Sequence, residues 1–171
     1  MHTELHTSRL TMRPVQQTDF DILQTILTDR FVRRYLCDDQ ILPPEQIQDF
    51  ILVSEQTFEA GDYGLWLLHD QLKNMVIGFA GLWSFFEENQ PQLLYALLPA
   101  FTREGYATEA SKAVIDYCFN KLSFPYIDAS FDESNIASLR VAERLEMTFL
   151  KKEWIDGSPV LFYRKVNSAV A

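Results

Sequence analysis

Residues 7–15 alternate in polarity, with Leu10, Met12 and Pro14 on one side and Arg9, Thr11 and Arg13 on the other. That period of two predicts an edge or half-buried strand, with Pro14 near its end. The period then changes. Phe20, Leu23, Ile26 and Leu27 follow helical spacing behind a cap at Thr18 or Asp19. Residues 31–36 read as a further short helical piece. Pro44 suits a first helical position, and Ile47, Phe50, Ile51, Ser54 and Phe58 mark the face of the helix it starts, which ends at Gly61-Asp62. Strand-like runs follow at 63–69, 74–85 and 92–98, the last two joined as a hairpin by the loop 87–91. Gly78 and Gly81 predict a bulge or a close backbone approach. Ala110, Ala113, Val114, Tyr117 and Cys118 recur at i, i+3, i+4, i+7 and i+8, the stripe of an amphipathic helix over 106–121. A strand at 126–131, a short helix at 134–145 and strands at 150–155 and 160–166 complete the chain. The last two flank the turn Asp156-Gly157-Ser158-Pro159. This order predicts an α/β domain built on one mixed sheet. It spans residues 7–167, with 1–6 and 168–171 as terminal tails.

Composition narrows the class. The chain has 171 residues, 47% of them hydrophobic, which suits one domain with a sizeable core. No apolar run approaches a membrane span, and residues 1–9 lack the apolar stretch of a signal peptide. A net charge of −9 argues against nucleic acid as a partner, since phosphate backbones need Lys and Arg. It can attract cationic acceptors such as amines, or simply keep the protein soluble. Cys37 and Cys118 form no metal or redox pattern, and reduced, cytoplasmic thiols are the simplest reading. His2, His6 and His69 match no zinc spacing, His2 and His6 falling in a terminus expected to fray, so no metal is expected.

The most informative stretch is residues 95–110. An apolar run ends at Leu97 and Leu98, Pro99 stops it, and Gly105 precedes the amphipathic helix. Gly105 can adopt a backbone shape closed to other residues and leaves room for a ligand to approach the main chain. The first N–H groups of the helix have no partner inside it and sit at its positive end, so the turn can hold a phosphate. It is equally the form of an ordinary tight turn capping a helix.

Three motifs resemble the GCN5-related N-acetyltransferases, most closely the ribosomal-protein N-terminal acetyltransferase (RimJ/RimL-like) branch. They are Arg9-Leu-Thr-Met-Arg-Pro14; Tyr95-Ala-Leu-Leu-Pro with Thr102-Arg-Glu-Gly-Tyr-Ala-Thr-Glu-Ala110; and Asp132-Glu-Ser-Asn-Ile-Ala-Ser138 with Arg140-Val-Ala-Glu-Arg-Leu145. The element order matches as well. The resemblance implies a mostly antiparallel sheet flanked by helices, acetyl-CoA as cosubstrate and an amine acceptor, in a monomer or homodimer. The chain departs from the family at Thr102, where Gln or Arg is usual, at Glu104 and at Glu146. It also reads Gln92-Leu-Leu-Tyr95 where the family often carries a basic Glu.

The implied cofactor site is the turn Arg103, Glu104, Gly105, Tyr106, Ala107 and Thr108, with Arg103 able to offset Glu104. Strand backbone at Leu97 and Leu98 would bind the pantetheine amides. Asn135 reads both as a helix N-cap and as a pantetheine ligand. Ser138 shares an inward face with Val141, Ala142 and Leu145, so its hydroxyl needs a partner. That partner is either a carbonyl one turn back or, as the family implies, the departing CoA sulfur. A strand N–H near Leu97 could stabilise negative charge on the acyl oxygen. The base is open among Glu87, Glu88, Asp128, Tyr95 and a water chain. Trp83, Phe85 and Phe86 read as core or as an acceptor pocket. Acetyl transfer to a protein N-terminus or a small amine is the first reading. A non-catalytic acyl-CoA-binding module and a protein-interaction domain with a decayed site are the rivals.

Overall fold

The computed structural model describes residues 3–86 and 88–170; His2 and Glu87, both singled out above, lie outside them. β1 (Leu5–His6), β2 (Leu10–Pro14), β3 (Leu65–Asp70), β4 (Met75–Trp83) and β5 (Gln92–Leu97) form a five-stranded sheet in that order, each neighbouring pair antiparallel. β6 (Tyr126–Asp132), β7 (Thr148–Ile155) and β8 (Ser158–Val166) form a second, three-stranded sheet in the order β6-β8-β7, also antiparallel.

The two sheets meet where β5 lies beside β6 without a hydrogen-bonded ladder. Side chains bridge them instead. Gln90 Nε2 donates to the Tyr126 carbonyl at 2.8 Å, and Ser130 Oγ donates to the Gln92 side-chain carbonyl at 2.6 Å. Residue numbers rise together across these bridges, so β5 and β6 run in the same direction and the arrangement is mixed. Beyond Gln92 and Ser130, the second edge of β5 pairs with no strand among the described residues.

Helices cover both faces. Leu93 and Leu97 pack with Ala110, Val114 and Cys118 of α4 (Tyr106–Asn120) and with Val141 and Ala142 of α5 (Ile136–Arg144). Leu94 and Ala96 point the other way. They meet Leu23, Ile26 and Leu27 of α1 (Phe20–Thr28), Val32 of α2 (Arg30–Leu36), and Ile47 and Ile51 of α3 (Pro44–Gly61). A strand buried on both faces must read as a continuous apolar run, which is why residues 93–98 show no alternation. Each such Leu or Ile contributes about 1.5–3 kcal/mol by leaving water.

The close approach expected at Gly78 is present: a Cβ there would lie 2.0 Å from the Ala96 carbonyl oxygen. The β3–β4 register shifts beside it, at Leu68/His69. Part of the stretch expected to be a tail is strand, since Leu5 and His6 pair with Met12 and Thr11. Trp66 Nε1 also donates to the Thr3 carbonyl at 2.8 Å, so His6 is held rather than frayed. β7 starts at Thr148, two residues before the apolar pattern suggests. It is an exposed edge strand on which no buried face imposes a period. Among the described residues, no helix is long and apolar enough to cross a membrane.

Candidate active site

After β5 the chain makes a single 3₁₀ turn at Pro99–Phe101 and enters α4 through Gly105, whose φ is +84°. That left-handed shape favours glycine. No side chain caps the helix, so the N–H groups of Tyr106, Ala107 and Thr108 point out of its first turn without a capping partner. Thr108 Oγ1 is buried with no hydrogen-bond partner. A buried hydroxyl left in that state beside open N–H groups fits a site for an anion's oxygens.

The charges around the turn differ from the expected scheme. Arg103 does not offset Glu104; it is exposed, with φ at +65° and no paired carboxylate among the described residues. Lys73, from the β3–β4 turn, takes that role with its ammonium 2.9 Å from the Glu104 carboxylate, and this bond holds its pKa above the usual lysine range. Arg9 lies 4.0 Å over the Tyr106 ring and donates to the Glu104 carbonyl at 3.0 Å and to Glu109 Oε2 at 2.7 Å. The Tyr106 hydroxyl donates to Asp70, whose carboxylate also accepts the Leu72 and Lys73 N–H groups. Tyr106 is therefore a strut beneath the turn, and only its backbone faces a ligand. Arg103 stays free to meet phosphate.

The strand leading in divides unevenly. Leu98 N–H donates to the Ile77 carbonyl at 2.9 Å, and the Leu98 carbonyl accepts from Phe101 N–H at 2.9 Å. Leu98 therefore has no free N–H, and its carbonyl keeps one lone pair that an amide could use. Leu97 stands opposite Gly78, one residue out of phase with the Leu98–Ile77 bond. In an antiparallel ladder such a residue turns its N–H and C=O away from its partner, here toward the gap beside β6. Tyr95, two residues earlier, turns its backbone the same way.

Across that gap stands α5. Asn135 Oδ1 accepts the Ser138 N–H at 3.2 Å, so Asn135 is the N-cap, with its side-chain NH₂ left over. The Ser138 hydroxyl lies near enough to the phenol of Tyr95 to work against the effect of burial on it. Burial pushes the Tyr95 phenol up to about 12. At neutral pH it can donate a proton but not accept one, which removes Tyr95 from the candidate bases.

Asp128 is also engaged. Arg164 grips its carboxylate through Nε at 2.7 Å and Nη2 at 2.9 Å, the guanidinium lying 3.7 Å over Tyr126. The β6–β8 register sets Asp128 opposite Arg164, and the sequence alone did not reveal this. Trp83 packs on Phe50 at 4.4 Å and joins the core, whereas Phe85 and Phe86 stay exposed, Phe86 lying 5.9 Å from Phe162. Glu88 is exposed, and its carboxylate accepts the Gln92 side-chain N–H at 2.6 Å. Both thiols are free; burial pushes Cys118 up to about 12 and Cys37 up to about 11, so neither is a ready nucleophile. Among the described residues no three His, Cys, Asp or Glu side chains gather as a metal site.

The turn 103–108 thus follows a strand whose Leu97 backbone faces outward, Tyr95 on that strand stands near Ser138 of the helix Asn135 caps, Asp128 is paired with Arg164, and the Leu98 N–H is used within the sheet. Arg9 and Glu109 stood inside the quoted motifs but carried no signal of their role. Lys73 had none at all.

A family model described as an acetyltransferase (GNAT) domain matches residues 9–148. The YkkB protein of Bacillus subtilis is 27% identical over 168 residues, covering 95% of each chain. Among solved structures, a GNAT-family acetyltransferase from Bordetella pertussis superposes with a TM-score of 0.83 at 24% identity, over 96% of this chain and 100% of that one. RimL, the ribosomal L7/L12 alpha-N-protein acetyltransferase solved in complex with coenzyme A, superposes with a TM-score of 0.81 at 16% identity, over 98% and 99%.

Proposed function

The chain belongs to the GNAT acetyltransferase family, and we propose that it passes the acetyl group of acetyl-CoA to a primary amine by direct attack in a ternary complex. Acetyl-CoA supplies the activated acyl group as a thioester. The remaining tasks fall to the chain. The N–H groups of Tyr106, Ala107 and Thr108, the Thr108 hydroxyl and Arg103 hold the pyrophosphate. Leu97 N–H steadies negative charge on the acyl oxygen. Ser138, beside Tyr95, supplies a proton to the departing sulfur.

One observation carries this reading: an uncapped helix start with an orphaned Thr108 hydroxyl opens beside the same gap that holds the Tyr95–Ser138 pair. The amine is a protein N-terminus or a small amine. The fold likeness to RimL supports the former, and the net charge of −9 favours a cationic acceptor of either kind.

The test mixes the protein with acetyl-CoA and a panel of peptides with free N-termini and small amines, following thiol release. Release above the amine-free rate with at least one acceptor is expected. Tight CoA binding with no turnover on any amine would instead mark an acyl-CoA-binding module.

A further inference from the structure

Arg9 stands immediately before β2, and its guanidinium flanks the bare face of Gly105. A Cβ built on that glycine would lie 3.5 Å from Arg9 Nη2, which is ordinary van der Waals contact. Room for the arginine therefore does not require glycine at this position. The space that Gly105 leaves open at the start of α4 has a permanent cation on its border.

That cation is fixed from several directions. Nη1 donates to the Glu104 carbonyl at 3.0 Å, and Nε donates to Glu109 Oε2 at 2.7 Å. Nη2 lies 2.7 Å from the same carboxylate oxygen. Glu109 also accepts the Arg9 backbone N–H at 3.1 Å, so one carboxylate holds both ends of the residue. The guanidinium rests 4.0 Å over the Tyr106 ring, and the Tyr106 hydroxyl is itself tied to Asp70. A guanidinium carries five N–H donors. These contacts engage one on each nitrogen, which leaves one on Nη1 and one on Nη2. The Arg9 side chain keeps 33% of its surface exposed against 18% for Glu109, so the remaining donors are within reach of a ligand. A planar fork with donors on two nitrogens suits phosphate oxygens, and one already held loses little freedom on binding.

We propose that Arg9 is a further ligand of the acetyl-CoA pyrophosphate and sets the preference for acyl donors that carry it. This rests on the acetyl-CoA reading above. The N–H groups of Tyr106, Ala107 and Thr108 hold the anion from the helix, and Arg9 holds it from the segment leading into β2. The pyrophosphate is remote from the reacting carbonyl, so a contact there acts alike on bound substrate and transition state. It lowers KM and leaves kcat where it is. A bare pantetheine thioester gains nothing from Arg9.

The experiment compares the parent, Arg9→Gln and Arg9→Gln/Glu109→Gln, by calorimetry with CoA and by kinetics with acetyl-CoA, acetyl-dephospho-CoA and S-acetylpantetheine. Arg9→Gln removes the ligand but also uncovers the Glu109 carboxylate, so the double variant, neutral at both positions, decides. Its CoA affinity should fall about tenfold or more, with KM for acetyl-CoA rising to match and kcat held. The loss should be equal for acetyl-dephospho-CoA, which lacks only the 3′-phosphate. It should be absent from kcat/KM for S-acetylpantetheine, which has no phosphate. A double variant that binds CoA like the parent would show that Arg9 only masks Glu109. A loss shared by S-acetylpantetheine would reduce Arg9 to a prop of the turn, and a loss confined to acetyl-CoA would move the contact to the 3′-phosphate. Each of these results overturns the assignment. The parent supplies a measurement that no folding defect can spoil: the guanidinium ¹⁵N resonances of Arg9 should shift on adding dephospho-CoA and not on adding pantetheine. Resonances unmoved by both would also overturn it. A parent that binds CoA through Arg9 and acetylates no amine would sink the transfer reading and leave this one, whereas a parent with no CoA affinity would overturn both.

Discussion

Lys73 and Glu104 are held 2.9 Å apart beside the turn that opens α4. The pair is substantially exposed, so it adds little to the fold. Its consequence is electrostatic: it neutralises a carboxylate where a pyrophosphate would sit. Lys73→Ala should therefore weaken CoA binding by up to about tenfold, or about 1.4 kcal/mol, while the melting temperature barely moves. Lys73→Ala/Glu104→Gln should regain the loss. Calorimetric titration with CoA reads both, and equal affinity in the parent and Lys73→Ala would show that Glu104 does not face the phosphates.

Gly105 separates backbone strain from ligand clearance. A Cβ there would meet only Arg9, at 3.5 Å, so the cost of Gly105→Ala is the positive φ, about 1–2 kcal/mol. That should lower the melting temperature by about 2–8 °C for a domain of this size. Gly105→Trp should fold, because the turn is open, yet abolish CoA binding. Retained affinity in a folded Gly105→Trp would remove the turn from the cofactor site.

Most of the fold was legible because most elements bury a face. The stripe from Ala110 to Cys118 and the run 92–98 can be read from pattern alone, since burial dictates them. β1 was not legible: two residues, Leu5 and His6, make no period. The turn 103–108 was legible because its chemistry is local, a glycine opening a helix. The partners were not. Asp128 meets Arg164 36 residues away through the β6–β8 register, and Lys73 reaches Glu104 across 31 residues through the packing of the β3–β4 turn beside α4. A sequence shows that a carboxylate faces away from the core; only the topology shows which cation waits there. The Asp29 cap, whose side chain accepts the Phe31 and Val32 N–H groups, is by contrast a local signal.

Glu109 ties the N-terminal segment to the first turn of α4. Its carboxylate accepts from the Thr7 hydroxyl at 2.5 Å, from Arg9 N–H at 3.1 Å and from Arg9 Nε at 2.7 Å. Burial works to raise its pKa, but these bonds outweigh it and hold the carboxyl below its ordinary 4.5. A folded pKa below the unfolded one means stability that is complete above about 4.5 and lost as pH falls through the folded value. Glu109→Gln should cost about 1 kcal/mol at pH 7, and the difference from the parent should shrink through that acid window. Urea melts at pH 7 and below pH 4 check it; a gap of constant size would mean that the ionised carboxylate is not the stabilising form.

The Tyr95–Ser138 contact makes a prediction about which kinetic constant moves. A phenol pushed up to about 12 stays protonated throughout the working range, so it can stabilise or relay a proton toward sulfur but cannot produce a titration near neutrality. Ser138→Ala should lower kcat by roughly ten- to a hundredfold, toward the lower end of general-acid effects, with CoA affinity nearly unchanged. Tyr95→Phe should lower kcat less, because Ser138 retains its hydroxyl. Neither should shift the neutral-range limbs of the pH profile. The decisive comparison is Ser138→Ala/Tyr95→Phe. If the two hydroxyls act as one donor, the double variant should be little worse than Ser138→Ala. Losses that multiply instead would show that each hydroxyl meets the reacting atoms by itself.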